Sequence, residues 1–238
     1  QRYLQQMSGA KLPITNVPAP DEPNIYIGAA ARGSGPDLSE TALGPDGYVV
    51  RTIGDDLVLA GAQPYSSLYA VYHLLERHLD CGFFEDGDQV PQRQTIEVPA
   101  IDECCKPHFD WRIYFTCMED GYSGMRWWSW EQFKPWVDWL VKKRFNRWDA
   151  ERVVDCCGIL PLAAARLGVE IELTGWQEQR LKVLRRVLDY ARERGIRTFY
   201  PITSFLLPSA NAGDPGVYAY AEGLQIQQFV QRYAEVHG

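Results

Sequence analysis

Residues 46–52 read DGYVVRT, and residues 57–76 read LVLAGAQPYSSLYAVYHLLE. The first run and the start of the second are rich in β-branched and apolar residues, and a glycine and two aspartates at 54–56 separate them. Turn residues between two such runs are the signal of a β-hairpin. We therefore predict antiparallel strands at Gly47–Thr52 and Leu57–Ala60.

A helix is predicted to follow this hairpin over Ser66–Leu79. Its apolar residues recur at helical spacing, and one of its two leading serines is the expected N-cap. Further strands are predicted at Asn24–Ala29, as a buried strand, and at Thr95–Val98. Strands and helices in this mixed order predict an α/β fold that begins with a small mixed α/β domain over residues 1–104.

From residue 105 the pattern changes to alternating strands and helices. Strands are predicted at Phe109–Cys117, Asn146–Val154 and Ile196–Ile202, and helices at Glu131–Phe145, Trp176–Arg194 and Tyr218–Val236. Such alternation indicates a parallel sheet covered by helices. Because a complete eight-fold barrel takes about 250 residues, residues 105–238 are predicted to form three β/α units of a partial barrel-type sheet. Three strands leave an unpaired edge, at which we expect self-association.

Composition argues against several classes of function. The formal net charge of -7 disfavours binding to nucleic acid, and no run approaches the ~18 apolar residues of a transmembrane helix. The six cysteines form no CxxC pair, and His73 and His78, five apart on a predicted helix, offer no ligand geometry, so no metal and no cofactor is predicted. The disulfide state and the compartment stay open, with a secreted or periplasmic location favoured.

Several motifs resemble those of known glycosidases. The DGYVVRT and LVLAGAQPYSSLYAVYHLLE runs resemble the non-catalytic domain that precedes the barrel in α-glucuronidases, α-N-acetylglucosaminidases and, more distantly, β-hexosaminidases. KPHFDWR (106–112) resembles the segment that opens the barrel of these enzymes. EDGYSGMRWWSW (119–130) and WVDWLVKKRFNRW (136–148) resemble their first loop and the helix and strand after it.

The resemblance implies a carbohydrate partner and a place in the front portion of a glycoside hydrolase. The catalytic carboxylates of such enzymes lie on later strands, beyond Gly238, so no catalytic residue is assigned and the chain by itself is not expected to be catalytic. Phe115 departs from the pattern, because α-N-acetylglucosaminidases carry Asn there. Two alternatives remain: a non-catalytic carbohydrate-binding or interaction protein, and a complete small enzyme that uses Glu119, Asp120 or Glu151.

Seven residues are candidates for contacts with a sugar. Aromatic faces can bury the apolar face of a pyranose, and carboxylates and guanidinium groups can bind its hydroxyls. The candidates are Arg112, Cys117, Glu119, Asp120, Trp127, Trp128 and Trp130. Each has a structural alternative: an ion pair for the arginine, strand packing for the cysteine, a solvated loop for the carboxylates, and a plug of the barrel rim for the tryptophans.

Overall fold

The computed structural model describes residues 1–33, 35–115, 124–149 and 175–199. Close packing divides the chain into two compact units. The first comprises Gln1–Ile113, Pro135–Asn146 and Glu193–Ile196, and the second comprises Tyr114–Lys134, Arg147–Arg192 and Arg197–Gly238. The predicted boundary after residue 104 stays a prediction. None of the described helices is both long enough and apolar enough to cross a membrane.

Helices and strands are mixed along the chain, as expected for an α/β fold. The described helices are α1 (Arg2–Ser8), α2 (Glu40–Leu43), α3 (Ser66–His73), α4 (Trp130–Lys142) and α5 (Gly175–Glu193). The described strands are β1 (Ile25–Ile27), β2 (Tyr48–Ile53), β3 (Asp56–Gly61), β4 (Gly82–Phe84), β5 (Gly87–Gln89), β6 (Asp102–Cys105), β7 (Ile113–Phe115), β8 (Arg147–Asp149) and β9 (Arg197–Phe199). The predicted helix at 218–236 lies outside the described residues.

The first unit is built on a four-stranded sheet in the order β1-β3-β2-β6. β2 and β3 pair antiparallel, which confirms the predicted hairpin. β1 runs parallel to β3 at the edge of the sheet, and this explains why Ile25 and Ile27 are 42% and 51% exposed, where a buried strand was expected. Gly61 ends β3 where the chain turns into α3, and a side chain there would collide with the backbone of Ser66.

The strand predicted at Thr95–Val98 is wrong. These residues form no strand, and β6 pairs antiparallel with β2 instead, with Cys105 opposite Tyr48. The alignment of β6 is fixed just before it begins, where the Thr52 N–H donates to the Ile101 carbonyl at 2.8 Å. A tertiary partner has therefore outweighed the local β propensity of the earlier segment.

The helix after the hairpin begins as predicted but changes character. Its N-cap is Tyr65, whose side chain makes no capping hydrogen bond to the helix, so the expected serine cap is wrong. Ser66 Oγ and Ser67 Oγ instead accept the N–H groups of Gln63 and Gly61, which ties the preceding turn to β3. From Leu74 to His78 the helix widens into one π turn.

The second unit contains the parallel sheet. Its three described strands have the order β7-β8-β9, and β8 and β9 pair parallel, with Trp148 opposite Thr198. Trp148 is fully buried, and its ring lies 6.2 Å from that of Phe133 in α4. Leu184, Val187 and Ala191 form the buried face of α5. A small α/β domain and a partial barrel-like parallel sheet are thus both present, as predicted.

Candidate carbohydrate-binding site

Arg112, the first sequence-predicted site residue, lies directly before β7 and is held by protein acceptors. Its Nη2 donates to Asp46 Oδ2 at 2.7 Å, its Nε to the Arg144 carbonyl at 2.7 Å and its Nη1 to the Phe109 carbonyl at 2.8 Å. The side chains of Arg112 and Asp46 are 18% and 11% exposed. These contacts support the alternative in which Arg112 braces the structure through an ion pair.

Asp46 is the centre of this network, and sequence reasoning assigned it no role. Besides Arg112, its carboxylate accepts hydrogen bonds from Asn146 Nδ2 and, at 3.0 Å, from the Tyr65 hydroxyl. Asn146 in turn accepts the backbone N–H of Arg112 at 2.9 Å. One feature of the sequence could have indicated a role for Asp46. It is an acidic residue directly before the apolar β2 run, in the motif that resembles the non-catalytic domain of glycosidases.

Trp127 and Trp176 form an exposed aromatic pair. Their ring centroids lie 5.3 Å apart, and the ring planes are inclined at 57°. Trp127 is 62% exposed and Trp176 is 40% exposed. Trp127 precedes α4, and Trp176 is the second residue of α5. Helices that return from a parallel sheet begin at the carboxyl ends of its strands, which is the side where barrel enzymes bind substrate. The pair therefore combines an exposed aromatic surface with a position at that edge of the sheet.

The other two candidate tryptophans are packed differently. Trp128 meets Phe133 edge-to-face at 5.4 Å, and its carbonyl accepts a hydrogen bond from Arg180 Nη1 at 2.6 Å. Trp130 has the guanidinium of Arg186 over its ring at 3.9 Å and Tyr190 against its edge at 5.1 Å. Both residues are partly buried, whereas Trp127 is 62% exposed, so Trp127 is the most accessible of the three.

Three predicted contact residues, Cys117, Glu119 and Asp120, lie outside the described residues, as does the alternative carboxylate Glu151. Trp176, by contrast, is brought to the site by the fold although the sequence analysis placed it only as the start of a helix. The pairing was not predicted from the sequence, because Trp176 lies 49 positions after Trp127. The two rings meet only when the fold brings the segments before α4 and at the start of α5 together.

The fold is similar to part of a solved glycoside hydrolase structure. A family 89 glycoside hydrolase from Clostridium perfringens, in complex with its substrate GlcNAc-α-1,4-galactose, matches with a TM-score of 0.50 and 16% identity, over 64% of this chain and 20% of that chain. A family 89 glycoside hydrolase from Clostridium perfringens in complex with PUGNAc matches with a TM-score of 0.49 and 16% identity, over the same shares of the two chains. CpGH84B gives 0.42 and 15% identity over 86% of this chain and 30% of that chain.

The fold is glycoside hydrolase-like. The chain spans about a fifth of the length of the family 89 structures. No protein-family model matches the sequence, and no curated protein matches it.

A second group of polar side chains lies in the first unit, between α3 and β6. His73 Nε2 is 2.5 Å from Glu103 Oε2, and its Nδ1 is 3.0 Å from the Tyr48 hydroxyl. A ring nitrogen of His73, a carboxylate oxygen of Glu103 and the Cys105 sulfur all lie within 4.8 Å of one another. Burial lowers the pKa of His73 despite the opposing effect of Glu103, so the imidazole is neutral at neutral pH. A cavity of about 500 Å³ lies beside the group, lined by Tyr48, His73, Glu76, Arg77 and Arg144.

Proposed function

We propose that this chain forms the front portion of a carbohydrate-active glycoside hydrolase whose substrate carries an α-linked N-acetylglucosamine or glucuronic acid residue. The observation that carries the proposal is the exposed pair of Trp127, just before α4, and Trp176, in the first turn of α5, beside a parallel β/α sheet. An aromatic face in that position buries the apolar face of a pyranose and leaves its hydroxyls available for polar contacts.

The choice of sugar rests on sequence motifs. Those around EDGYSGMRWWSW resemble motifs of α-glucuronidases and α-N-acetylglucosaminidases. The glycoside hydrolase-like fold supports the broader class of enzyme. In this proposal Glu119 and Asp120 follow the first strand and bind sugar hydroxyls, Cys117 forms part of the wall, and the catalytic carboxylates belong to strands beyond Gly238.

Binding of sugar is expected to depend on the aromatic pair. In Trp127→Ala and in Trp176→Ala we expect affinity for GlcNAc-α-1,4-galactose to fall about five- to tenfold, because one stacked face contributes roughly 1–1.4 kcal/mol. Isothermal titration of the 238-residue chain measures this, with an α-linked glucuronic acid disaccharide as second ligand.

The matched control is Trp111→Ala, which removes another exposed tryptophan, 64% exposed, from the first unit. It should bind as the parent chain does. Equal weakening in all three variants, or no saturable binding of either disaccharide, would contradict the proposal.

Hydrolysis by the chain itself is expected to stay at background. Glycoside hydrolysis needs two carboxyl groups on opposite sides of the bond, one of them with a raised pKa, and the proposal places that pair on later strands. Aryl α-N-acetylglucosaminide, α-glucuronide and β-hexosaminide substrates test this. Turnover that disappears in Glu119→Gln or Asp120→Asn would instead establish the small-enzyme alternative.

A further inference from the structure

Two side chains with metal-binding chemistry share one face of the edge strand β6. Successive residues of a strand point to opposite faces, so Glu103 and Cys105 lie on one side and Cys104 on the other. The burial pattern confirms this alternation, because Glu103 and Cys105 are partly buried and Cys104 is exposed. The pairing of β6 with β2 sets Tyr48 opposite Cys105.

The π turn brings two histidines to the same carboxylate. In an α-helix, five residues turn the chain about 140° beyond a full turn, which would direct His73 and His78 to different faces. The π turn over Leu74–His78 hydrogen-bonds over five residues and brings them closer to one face. Their ring centres lie 5.9 Å apart. His73 Nε2 and His78 Nε2 face the two oxygens of Glu103, at 2.5 and 3.3 Å.

We propose that His73, Glu103 and Cys105 form a binding site for Zn²⁺ or a similar divalent transition-metal ion. Imidazole, carboxylate and thiolate are the ligand set that Zn²⁺ takes in proteins, and the soft thiolate argues against Mg²⁺ and Ca²⁺. Bonds of about 2.0–2.3 Å in a tetrahedron set ligand atoms about 3.3–3.8 Å apart. The three ligand atoms lie within 4.8 Å of one another, with His73 Nε2 and Glu103 Oε2 at 2.5 Å. Side-chain rotations that move these atoms by about 1 Å bring all three to the separations of a zinc site.

His78 supplies an independent observation. Its Nε2 is buried and has no hydrogen-bond partner among the described residues, although Glu103 Oε1 lies 3.3 Å away. A buried nitrogen without a hydrogen bond is costly, and a water bound to the ion would supply the missing partner. His78 thus borders the site next to the three ligands.

Charge and protons balance in this arrangement. Ligation through Nε2 of His73 shifts the ring proton to Nδ1, which then donates to the Tyr48 oxygen. The Cys105 thiol releases one proton to solvent, and the thiolate and the Glu103 carboxylate together neutralise the two positive charges of the ion. Two neighbouring cations, Lys143 and Arg144, pair with the carboxylate of Glu76 at 2.8 and 3.0 Å, which offsets part of their repulsion of a metal ion.

The neighbouring cavity provides an entry path for the ion. His73 and Tyr48 line both the cavity and the ligand group. A three-ligand zinc site keeps a coordination position for water, and the cavity beside His73 gives solvent a way to reach it. The site would also fasten α3 to β6, the edge strand of the sheet.

The test is titration of the chelator-treated 238-residue chain with Co²⁺ and then Zn²⁺. We expect one Co²⁺ to bind with the charge-transfer absorption that a thiolate ligand gives, and one equivalent of Zn²⁺ to displace it at micromolar or lower concentration. Cys105→Ser should abolish this absorption, and His73→Gln and Glu103→Gln should each weaken Zn²⁺ binding at least tenfold. Zn²⁺, but not Mg²⁺, should raise the melting temperature of the parent chain.

Cys104→Ser is the matched control, because it removes the adjacent thiol from the opposite face of the same strand. It should keep both the absorption and the affinity. Circular dichroism establishes that each variant folds, and if Cys105→Ser does not, Glu103→Gln carries the test. Co²⁺ binding without the thiolate band, unchanged affinity in Glu103→Gln, or equal loss in Cys104→Ser would overturn the proposal.

Discussion

Replacement of Asp46 by alanine is expected to lower the free energy of unfolding by about 3–5 kcal/mol, because it leaves a largely buried guanidinium without its counter-charge. Asp46 also holds Asn146 and the Tyr65 hydroxyl, so three donors lose their acceptor at once. Urea unfolding of Asp46→Ala and of the parent chain measures the difference.

Two further variants separate this ion pair from surface charges. In the double variant Asp46→Ala, Arg112→Met no unpaired charge remains, so its loss should be smaller than the sum of the single losses by at least about 1 kcal/mol. Asp102→Ala removes the carboxylate of another Arg–Asp pair, which is 73% exposed, and should cost less than about 1 kcal/mol. Additive losses in the double variant would show that the charge pairing is not the cause.

Replacement of Trp148 by alanine should destabilise the second unit by about 3–5 kcal/mol. Trp148 is fully buried in β8 and packs against Phe133, so the truncation leaves a cavity between the parallel sheet and α4. Thermal unfolding followed by tryptophan fluorescence and by circular dichroism measures the effect.

The matched control is the same substitution at an exposed tryptophan of the same unit. Trp127→Ala should change stability by no more than about 0.5 kcal/mol, while it weakens sugar binding as described above. If Trp127→Ala destabilised the chain as much as Trp148→Ala does, Trp127 would be a packing residue, and its proposed contact with sugar would lose its basis.

The sequence predicts those elements whose formation depends on a local pattern. Apolar spacing of 3–4 residues located α4 and α5 to within a few residues, and turn residues located the β2–β3 hairpin. β6 escaped prediction because DECC has little β character of its own and becomes a strand through pairing with β2. The π turn escaped because a period of 3.6 residues was assumed through Leu79.

The same reasons limit prediction of the site. Arg112 was identified as either a sugar ligand or half of an ion pair, and only the packed structure supplies its partner, Asp46, 66 positions earlier. His73 and His78 were set aside because five residues on an α-helix separate them. Their approach to Glu103 depends on the π turn and on the register of β6, neither of which has a local signature.

The two compact units alternate along the chain, and this limits how the polypeptide can be divided. Residues 135–146 and 193–196 belong to the first unit although they follow segments of the second. A gene fragment that ended at residue 104 would encode Asp46, Glu76 and Asp88 without Arg112, Lys143 and Lys142, the basic residues that pair with them. In such a fragment Asp46 and Glu76 would lose these basic partners, while Asp88 would keep the more distant Arg2, at 3.6 Å. The first unit is thus assembled from separated stretches of sequence, and recombination or proteolysis at a single position cannot release it whole.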